Sequence, residues 1–103
     1  MTDFDHGAID ELLSSRVRLA MVAFLAGAGE ADFAAIRDAT KTTDGNAGVH
    51  LRKLEDAGYV TVSKQFVARR PQSLYRLTDR GREALLTYVA HLEALLPPKE
   101  SQS

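Results

Sequence analysis

Arginine and lysine side chains dominate the chemistry available in the middle of this sequence. The stretch KQFVARRPQSLYRLT contains four basic residues and no acidic one, and Arg69 and Arg70 stand directly before Pro71. A guanidinium group presents planar N–H donors that match the oxygens of phosphates and carboxylates. An adjacent pair of arginines next to a proline is therefore suited to a polyanion or to an acidic protein surface.

Charge is distributed unevenly along the chain, although the formal net charge is only -1. Residues 1–44 contain four basic and eight acidic residues, whereas residues 45–82 contain eight basic and three acidic ones. A nearly neutral protein with such a basic middle can present one strongly positive face. On charge alone, an ordinary surface of salt bridges fits the sequence equally well.

Other chemistries find less support. The sequence has no cysteine, which excludes thiolate nucleophiles, disulfides and thiolate metal sites. Of its three histidines, His50 is expected to pack half-buried, while His91 and Glu93 stand two apart on a predicted helix and point in different directions. We find no glycine-rich phosphate loop, no nucleophile elbow and no HExxH motif. We therefore expect no enzyme, no metal site and no cofactor.

The length and the two ends of the chain predict one small cytoplasmic domain. A chain of 103 residues can bury a modest core, and we expect one domain over residues 1–98 with a disordered tail over 99–103. The apolar runs are too short to span a bilayer. The acidic start, MTDFDHGAIDELL, lacks the basic residues and the apolar stretch of a signal peptide. We expect no membrane partner.

Three helical segments fill the first half. LLSSRVRLAMVAFLAGAG has the apolar spacing of a helix, and AIDELL before it predicts a short additional one. EADFAAIRDATK predicts a short helix with Asp32 as its N-cap, and TTDGNAGVHLRKLEDAGYV a third helix between Thr43 and Gly58. Its buried stripe is narrow, consisting of Ala47, Leu51 and Leu54. Most of the circumference of the third helix is therefore free.

The apolar period then changes from 3.6 to 2. YVTVSKQFV and SLYRLT alternate as two short strands, with ARRPQ as the tip between them, and TDRGREALLTYVAHLEALL forms a last helix. The order is helix, short helix, turn, helix, hairpin, helix. This order predicts a winged helix-turn-helix, which is a mainly α fold with a small β hairpin (α+β).

The free side of the third helix suits a DNA major groove, and the hairpin suits phosphates or a minor groove. Asn46 can pair with adenine, Val49 can touch a thymine methyl group, and Arg52 can reach guanine or phosphate. Gly45 and Gly48 each cost about 1 kcal/mol relative to alanine in a helix. They predict either a close approach of DNA or a loose helix start. The candidate DNA-binding residues are Thr43, Gly45, Asn46, Gly48, Val49, Arg52 and Lys53 on the helix, and Lys64, Gln65, Arg69, Arg70 and Pro71 on the wing.

Two alternatives remain open at this point. The helix face can be a merely solvated one, and the whole basic face can bind an acidic protein partner instead of DNA.

The pattern HLRKLEDAGYV, RRP and YRLTDRG, within GVHLRKLEDAGYVTVSKQFVARRPQSLYRLTDRGREAL, resembles the winged helix DNA-binding proteins of the MarR/ArsR type, in particular their short stand-alone members. The resemblance extends over about residues 12–96. It implies a homodimeric transcriptional regulator, usually a repressor, with a recognition helix at 43–57 and a wing at about 65–73. The chain lacks the cysteines of the metal-sensing relatives, and no feature marks an effector pocket, so a small-molecule effector stays unknown.

The terminal segments predict a homodimer on separate grounds. The last helix is apolar around more than one stripe: Leu85, Tyr88, Val89, Leu92 and Leu96 form a row that Leu86 and Leu95 widen. Exposed patches of this kind usually mark association, and the family resemblance also implies an interface of the first and last helices. Alternatively, the N-terminal segment covers this patch within one chain, through Phe4, Ile9 and Leu12. The predicted interface residues are Ile9, Leu12, Leu86, Val89, Leu92, Leu95 and Leu96.

Overall fold

The computed structural model describes residues 10–97. Four helices and three strands follow one another in the order α1 (Arg16–Ala28), β1 (Glu30–Asp32), α2 (Phe33–Thr40), α3 (Asp44–Asp56), β2 (Val60–Val67), β3 (Arg70–Leu77) and α4 (Asp79–Glu93). This is the predicted winged helix-turn-helix, with one strand more than the sequence indicated.

Each helix begins at a side-chain cap. Ser15, Asp32, Thr43 and Thr78 each accept a hydrogen bond from the backbone N–H three residues later. Such a cap contributes about 1 kcal/mol because it satisfies a backbone donor that has no partner within the helix. The expected short helix before α1 does not form among the described residues, since residues 11–14 make only a turn. The Asp10 carboxylate holds that turn by accepting the N–H of Leu12 at 2.8 Å.

The core lies around α1, which contacts the other three helices and the sheet. Its Met21, Val22 and Leu25 are fully buried, together with Ile36 from α2. The predicted stripe of α3 (Ala47, Leu51 and Leu54) is buried as well. Burial of each of its two leucines contributes about 1.5–3 kcal/mol, because it removes apolar surface from water. Burial of α3 on one side only leaves its opposite side to solvent.

The sheet has three antiparallel strands in the order β1-β3-β2, whereas the sequence predicted a two-stranded hairpin. The extra strand, β1, has only three residues and pairs Glu30 with Arg76 and Asp32 with Leu74. The Glu30 and Arg76 side chains form an ion pair with an O–N distance of 2.6 Å. β1 thus fixes the base of the hairpin to the chain segment that enters α2.

The hairpin of β2 and β3 is longer than predicted and its turn is tighter. Only Ala68 and Arg69 form the turn, and both have positive φ angles, 52° and 68°. Arg70 and Pro71, which we expected in the tip, are the first residues of β3 and pair with Val67 and Phe66. In a hairpin with a two-residue turn, the pair that flanks the turn, here Val67 and Arg70, exchanges backbone hydrogen bonds. The next pair, Phe66 and Pro71, is then a pair without hydrogen bonds between its two residues. The Pro71 nitrogen therefore faces away from β2, and its missing N–H costs the hairpin nothing.

α4 packs against the core through only part of its apolar surface. Gly81 and Tyr88 are buried, and Ala84 and Leu85 are half-buried. A Cβ atom at Gly81 would collide with the backbone carbonyl of Tyr59. Val89, Leu92 and Leu96, which share the apolar row of Leu85 and Tyr88 in the sequence, are exposed, because the core side of α4 is already filled.

Candidate nucleic-acid interface

The exposed side of α3 carries the residues that the sequence singled out. Thr43, Gly45, Asn46, Val49, Arg52 and Lys53 are all exposed, and Gly48 is half-buried. Gly45, Gly48, Val49 and Arg52 follow the spacing i, i+3, i+4, i+7, so they share one face of the helix. This face is opposite the buried stripe, and its first two turns present small and uncharged groups.

The orientation of α3 is fixed from its N-terminal side by α2. The Arg37 guanidinium donates to the Asp44 carboxylate at 2.7 Å and to the Asp38 carboxylate at 2.9 Å. These hydrogen bonds, Asp38 first, raise the pKa of Arg37 above its usual value. Lys41 takes a left-handed backbone conformation, with φ 56°, and makes the sharp turn between the two helices. The angle between α2 and α3 is thereby held on both sides of the turn.

A second contact ties α3 to α1. Arg18 donates through Nε to the carbonyl of Leu12 at 2.8 Å, and its Nη1 lies 3.0 Å from His50 Nδ1. Burial, followed by the positive charges of Arg18 and Lys53, lowers the pKa of His50. A neutral imidazole accepts a hydrogen bond from the guanidinium, whereas a protonated one cannot. His50 is half-buried, as expected. Its contact with Arg18 links α3 to α1.

The two glycines of α3 have no explanation within the fold. Neither Gly45 nor Gly48 has a positive φ angle, and a Cβ atom at either position would meet no other group within 4 Å. In a helix each lowers stability by about 0.5–1 kcal/mol relative to alanine. Their absent side chains leave the backbone of the first two turns open to a close approach from outside.

α3 and the hairpin together form one surface. A groove of about 490 Å³ lies between them, lined by Gly48, Arg52, Glu55, Asp56, Val62, Lys64 and Tyr75. Arg52 and Lys64 therefore face the same space, one from the helix and one from β2. The carboxylates of Glu55 and Asp56 lie at the far end of α3. They repel a polyanion there and favour its contact with the N-terminal half of the helix.

The hairpin separates the predicted wing residues onto two faces. Successive residues of a strand point to opposite sides, so Lys64 and Pro71 share the face of Val62, whereas Gln65 and Arg70 lie on the other face. The Gln65 amide donates to Gln72 at 3.0 Å, and Gln72 donates to Asp32 at 3.0 Å. Arg69 stands in the turn itself. Residues 60–77 contain four basic residues and no acidic one. Lys64 lies on one face of the hairpin and Arg70 on the other, while Arg76 is paired with Glu30 of β1.

Comparison with known proteins gives this arrangement a family. Residues 17–96 match the model of a winged helix DNA-binding domain. The chain belongs to that family. An uncharacterized protein of Methanocaldococcus jannaschii is 32% identical over 79 residues, which are 77% of this chain and 86% of that protein.

Solved structures agree with the winged helix assignment. A transcriptional regulator homologue from Pyrococcus horikoshii superposes with a TM-score of 0.77 at 32% identity, covering 84% of this chain and 85% of its own. A MarR-family transcriptional regulator from Silicibacter pomeroyi has a TM-score of 0.64 at 19% identity, and the match covers 78% of this chain and 53% of that one. The winged helix domain is thus MarR-like in fold, and the hairpin is its wing.

Sequence reasoning missed one feature of this wing. Phe66 is 72% exposed, and it belongs to the face of Lys64 and Pro71. The strand alternation around it was visible in the sequence, but its exposure depends on how far α3 extends over the hairpin.

The predicted dimer residues are accessible where the structure describes them. Leu86, Val89, Leu92, Leu95 and Leu96 are exposed on α4 and the turn after it, and Leu12 is half-buried. Ile9 lies outside the described residues, as does Phe4. No helix within residues 10–97 combines the length and apolar character needed to cross a membrane, and within the same range no three metal-ligating side chains come together.

Proposed function

We propose that this winged helix protein is a dimeric, sequence-specific regulator of transcription that binds duplex DNA and represses by occupying a promoter. The observation that carries the proposal is the groove shared by the exposed side of α3 and the basic hairpin, which Arg52 and Lys64 both line. DNA carries one negative charge per about 1.7 Å of its axis, so such a surface gains affinity by releasing counterions.

The residues divide into two roles. Asn46, Val49 and Arg52 are assigned to base edges in the major groove, because they lie on the open face of the helix that enters it. Lys53, Lys64, Arg69 and Arg70 are assigned to phosphates, which fix position and affinity without reading sequence. Thr43, Gly45, Gly48, Gln65 and Pro71 complete the surface through backbone approach and wing shape.

The dimer is assigned to the exposed apolar residues of α4 and of the turn that follows it. Five large apolar side chains, Leu86, Val89, Leu92, Leu95 and Leu96, face solvent in a single chain, and patches of this kind usually mark an interface. Symmetric dimers are the commonest oligomers of soluble proteins. Two copies would present two recognition helices to half-sites about 34–36 Å apart, one turn of DNA.

The test is a titration of labelled random duplex by fluorescence anisotropy over a range of salt. The logarithm of affinity should fall against the logarithm of salt by about 0.9 per phosphate contacted. The double variant Arg69→Ala with Arg70→Ala should flatten this slope by about two units and weaken all sequences alike. Arg16→Ala with Arg82→Ala removes the same charge outside the proposed interface and is the matched control.

Sequence specificity is tested in a second experiment. On a duplex selected from a random pool, Arg52→Ala should lose about 1–3 kcal/mol of discrimination at its base position. Absence of binding to every duplex at low salt would refute the proposal and would leave an acidic protein as the partner of the basic face.

A further inference from the structure

Phe66 is the most exposed of the large apolar side chains that the structure describes, at 72%. Complete burial of a phenylalanine side chain stabilises a protein by about 1.5–3 kcal/mol. Because Phe66 is mostly exposed, it contributes little of this stabilisation. It contributes nothing to the core, and its position on the wing leaves it available for a contact outside the chain.

The surroundings of Phe66 follow from the strand register. Phe66 stands opposite Pro71, and Lys64 stands opposite Ser73. All four side chains lie on the hairpin face that continues from Val62 and Tyr75, where α3 packs. Lys64, Phe66 and Pro71, with the neighbouring Gln65, line an apolar depression at this end of the hairpin. The aromatic ring therefore lies on the same side of the hairpin as the recognition helix, two residues before the turn residue Ala68.

The charges around the ring select its partner. Lys64 is on its face, Arg69 is in the turn, and no carboxylate occurs between residues 60 and 77. An apolar ring flanked by cations is complementary to a groove with phosphate edges and apolar walls. The minor groove of duplex DNA has this character, because the deoxyribose rings that form its walls lie beside two rows of phosphates.

We propose that Phe66, supported by Pro71, enters the minor groove beside each half-site as a wedge and partly unstacks one base step. This inference rests on the proposed binding to duplex DNA. Apolar wedges of this kind kink a duplex by about 20–90°, against an unstacking cost of a few kcal/mol. The cost is lowest at TA and CA/TG steps, which unstack most easily. The wing thereby selects sequence through deformability, without a hydrogen bond to a base.

The experiment measures bending and affinity together. A duplex of high affinity, selected from a random pool by the unaltered protein, is labelled at both ends, and its end-to-end energy transfer is followed on titration. Phe66→Ala should lose about tenfold in affinity, as for other aromatic contacts to bases, and most of the bend. Phe66→Leu, which keeps an apolar wedge, should retain the bend.

Val67→Ala is the matched control, since Val67 is 49% exposed on the same strand but on the opposite face. It should change neither quantity. Because no charge is removed, the salt slope of Phe66→Ala should equal that of the unaltered protein, which separates this variant from the arginine variants. Replacement of a TA or CA step at the wing position by a stiffer step should weaken the unaltered protein but not Phe66→Ala.

The outcomes separate the wedge from the function on which it rests. If the unaltered protein binds no duplex, the DNA-binding proposal fails and the wedge fails with it. If the unaltered protein binds and Phe66→Ala bends the duplex equally, the wedge alone is wrong. Loss of affinity in Phe66→Ala with an unchanged bend also overturns it. Thermal unfolding of each variant confirms that an exposed position was changed without loss of the fold.

Discussion

Substitution of Gly48 by alanine should raise the stability of the protein and lower its affinity for DNA. Gly48 lies within α3, has no positive φ angle, and has open space where a Cβ would stand. Alanine there should raise the free energy of unfolding by about 0.5–1 kcal/mol, because it restricts the unfolded chain and favours the helix. For a domain of this size, 1 kcal/mol corresponds to a rise in Tm of about 4–8 °C.

The effect on DNA should have the opposite sign. Gly48 shares its helix face with Arg52 and lines the groove between α3 and the hairpin. A methyl group inserted into a close contact costs about 1–3 kcal/mol, which is roughly a 5- to 150-fold loss of affinity. Gly45→Ala should behave in the same way, because Gly45 stands one turn earlier on the same face.

Gly27→Ala provides the control for this pair. Gly27 is exposed in the last turn of α1, also lacks a positive φ angle, and also has open space at its Cβ position. The Gly27→Ala substitution should raise Tm without any change in DNA affinity. The measurements are thermal unfolding by circular dichroism and anisotropy titration of a selected duplex. A Gly48→Ala variant that gains stability and binds DNA as tightly as the Gly27→Ala variant would refute the close approach.

Three further outcomes are expected. Gly81→Ala should lower the free energy of unfolding by about 1–3 kcal/mol in urea titrations, because a Cβ there meets the Tyr59 carbonyl; an unchanged midpoint would contradict the packing. The pKa of His50 is lowered from 6.5, so its protonation opposes folding: stability is full above pH 6.5 and falls as pH decreases through the window below it, and His50→Gln should reduce this dependence in unfolding at pH 5.5 and 7.5. Leu86→Glu with Leu92→Glu should give a monomer in sedimentation, and a persisting dimer would exclude this face of α4.

The helices and their caps could be predicted because their determinants are local. Thr43 and Thr78 precede runs with helical apolar spacing, and each cap bonds only to its own first turn. The buried stripe of α3 could likewise be predicted, because it follows from the 3.6-residue period of its apolar residues. The exposure of the candidate DNA-binding residues of α3 followed from it directly, because the face opposite a narrow buried stripe must be free.

The features that sequence reasoning missed depend on contacts between distant segments. The residues of β1, Glu30–Asp32, have no strand pattern and become a strand because β3 offers them a free edge. The turn at Ala68 and Arg69 lacks the asparagine and glycine typical of a two-residue turn, so its position was obscured. The apolar period of α4 could not separate residues that face the core from residues that are exposed to solvent, as Val89 and Leu92 are.

The turn of the hairpin has a consequence for the motions of the wing. Ala68 and Arg69 both hold a left-handed backbone, which costs roughly 1–2 kcal/mol for each residue with a side chain. The strand pairing of Val67 with Arg70 must offset this strain, while the base of the hairpin is secured by the buried Val60 and by β1. Opening therefore requires least energy at the turn, and backbone amides should exchange with solvent faster toward the turn than toward the base. A wing of this kind has a firm base and a pliant end, so its turn can adjust to the surface of a partner while α3 keeps its place.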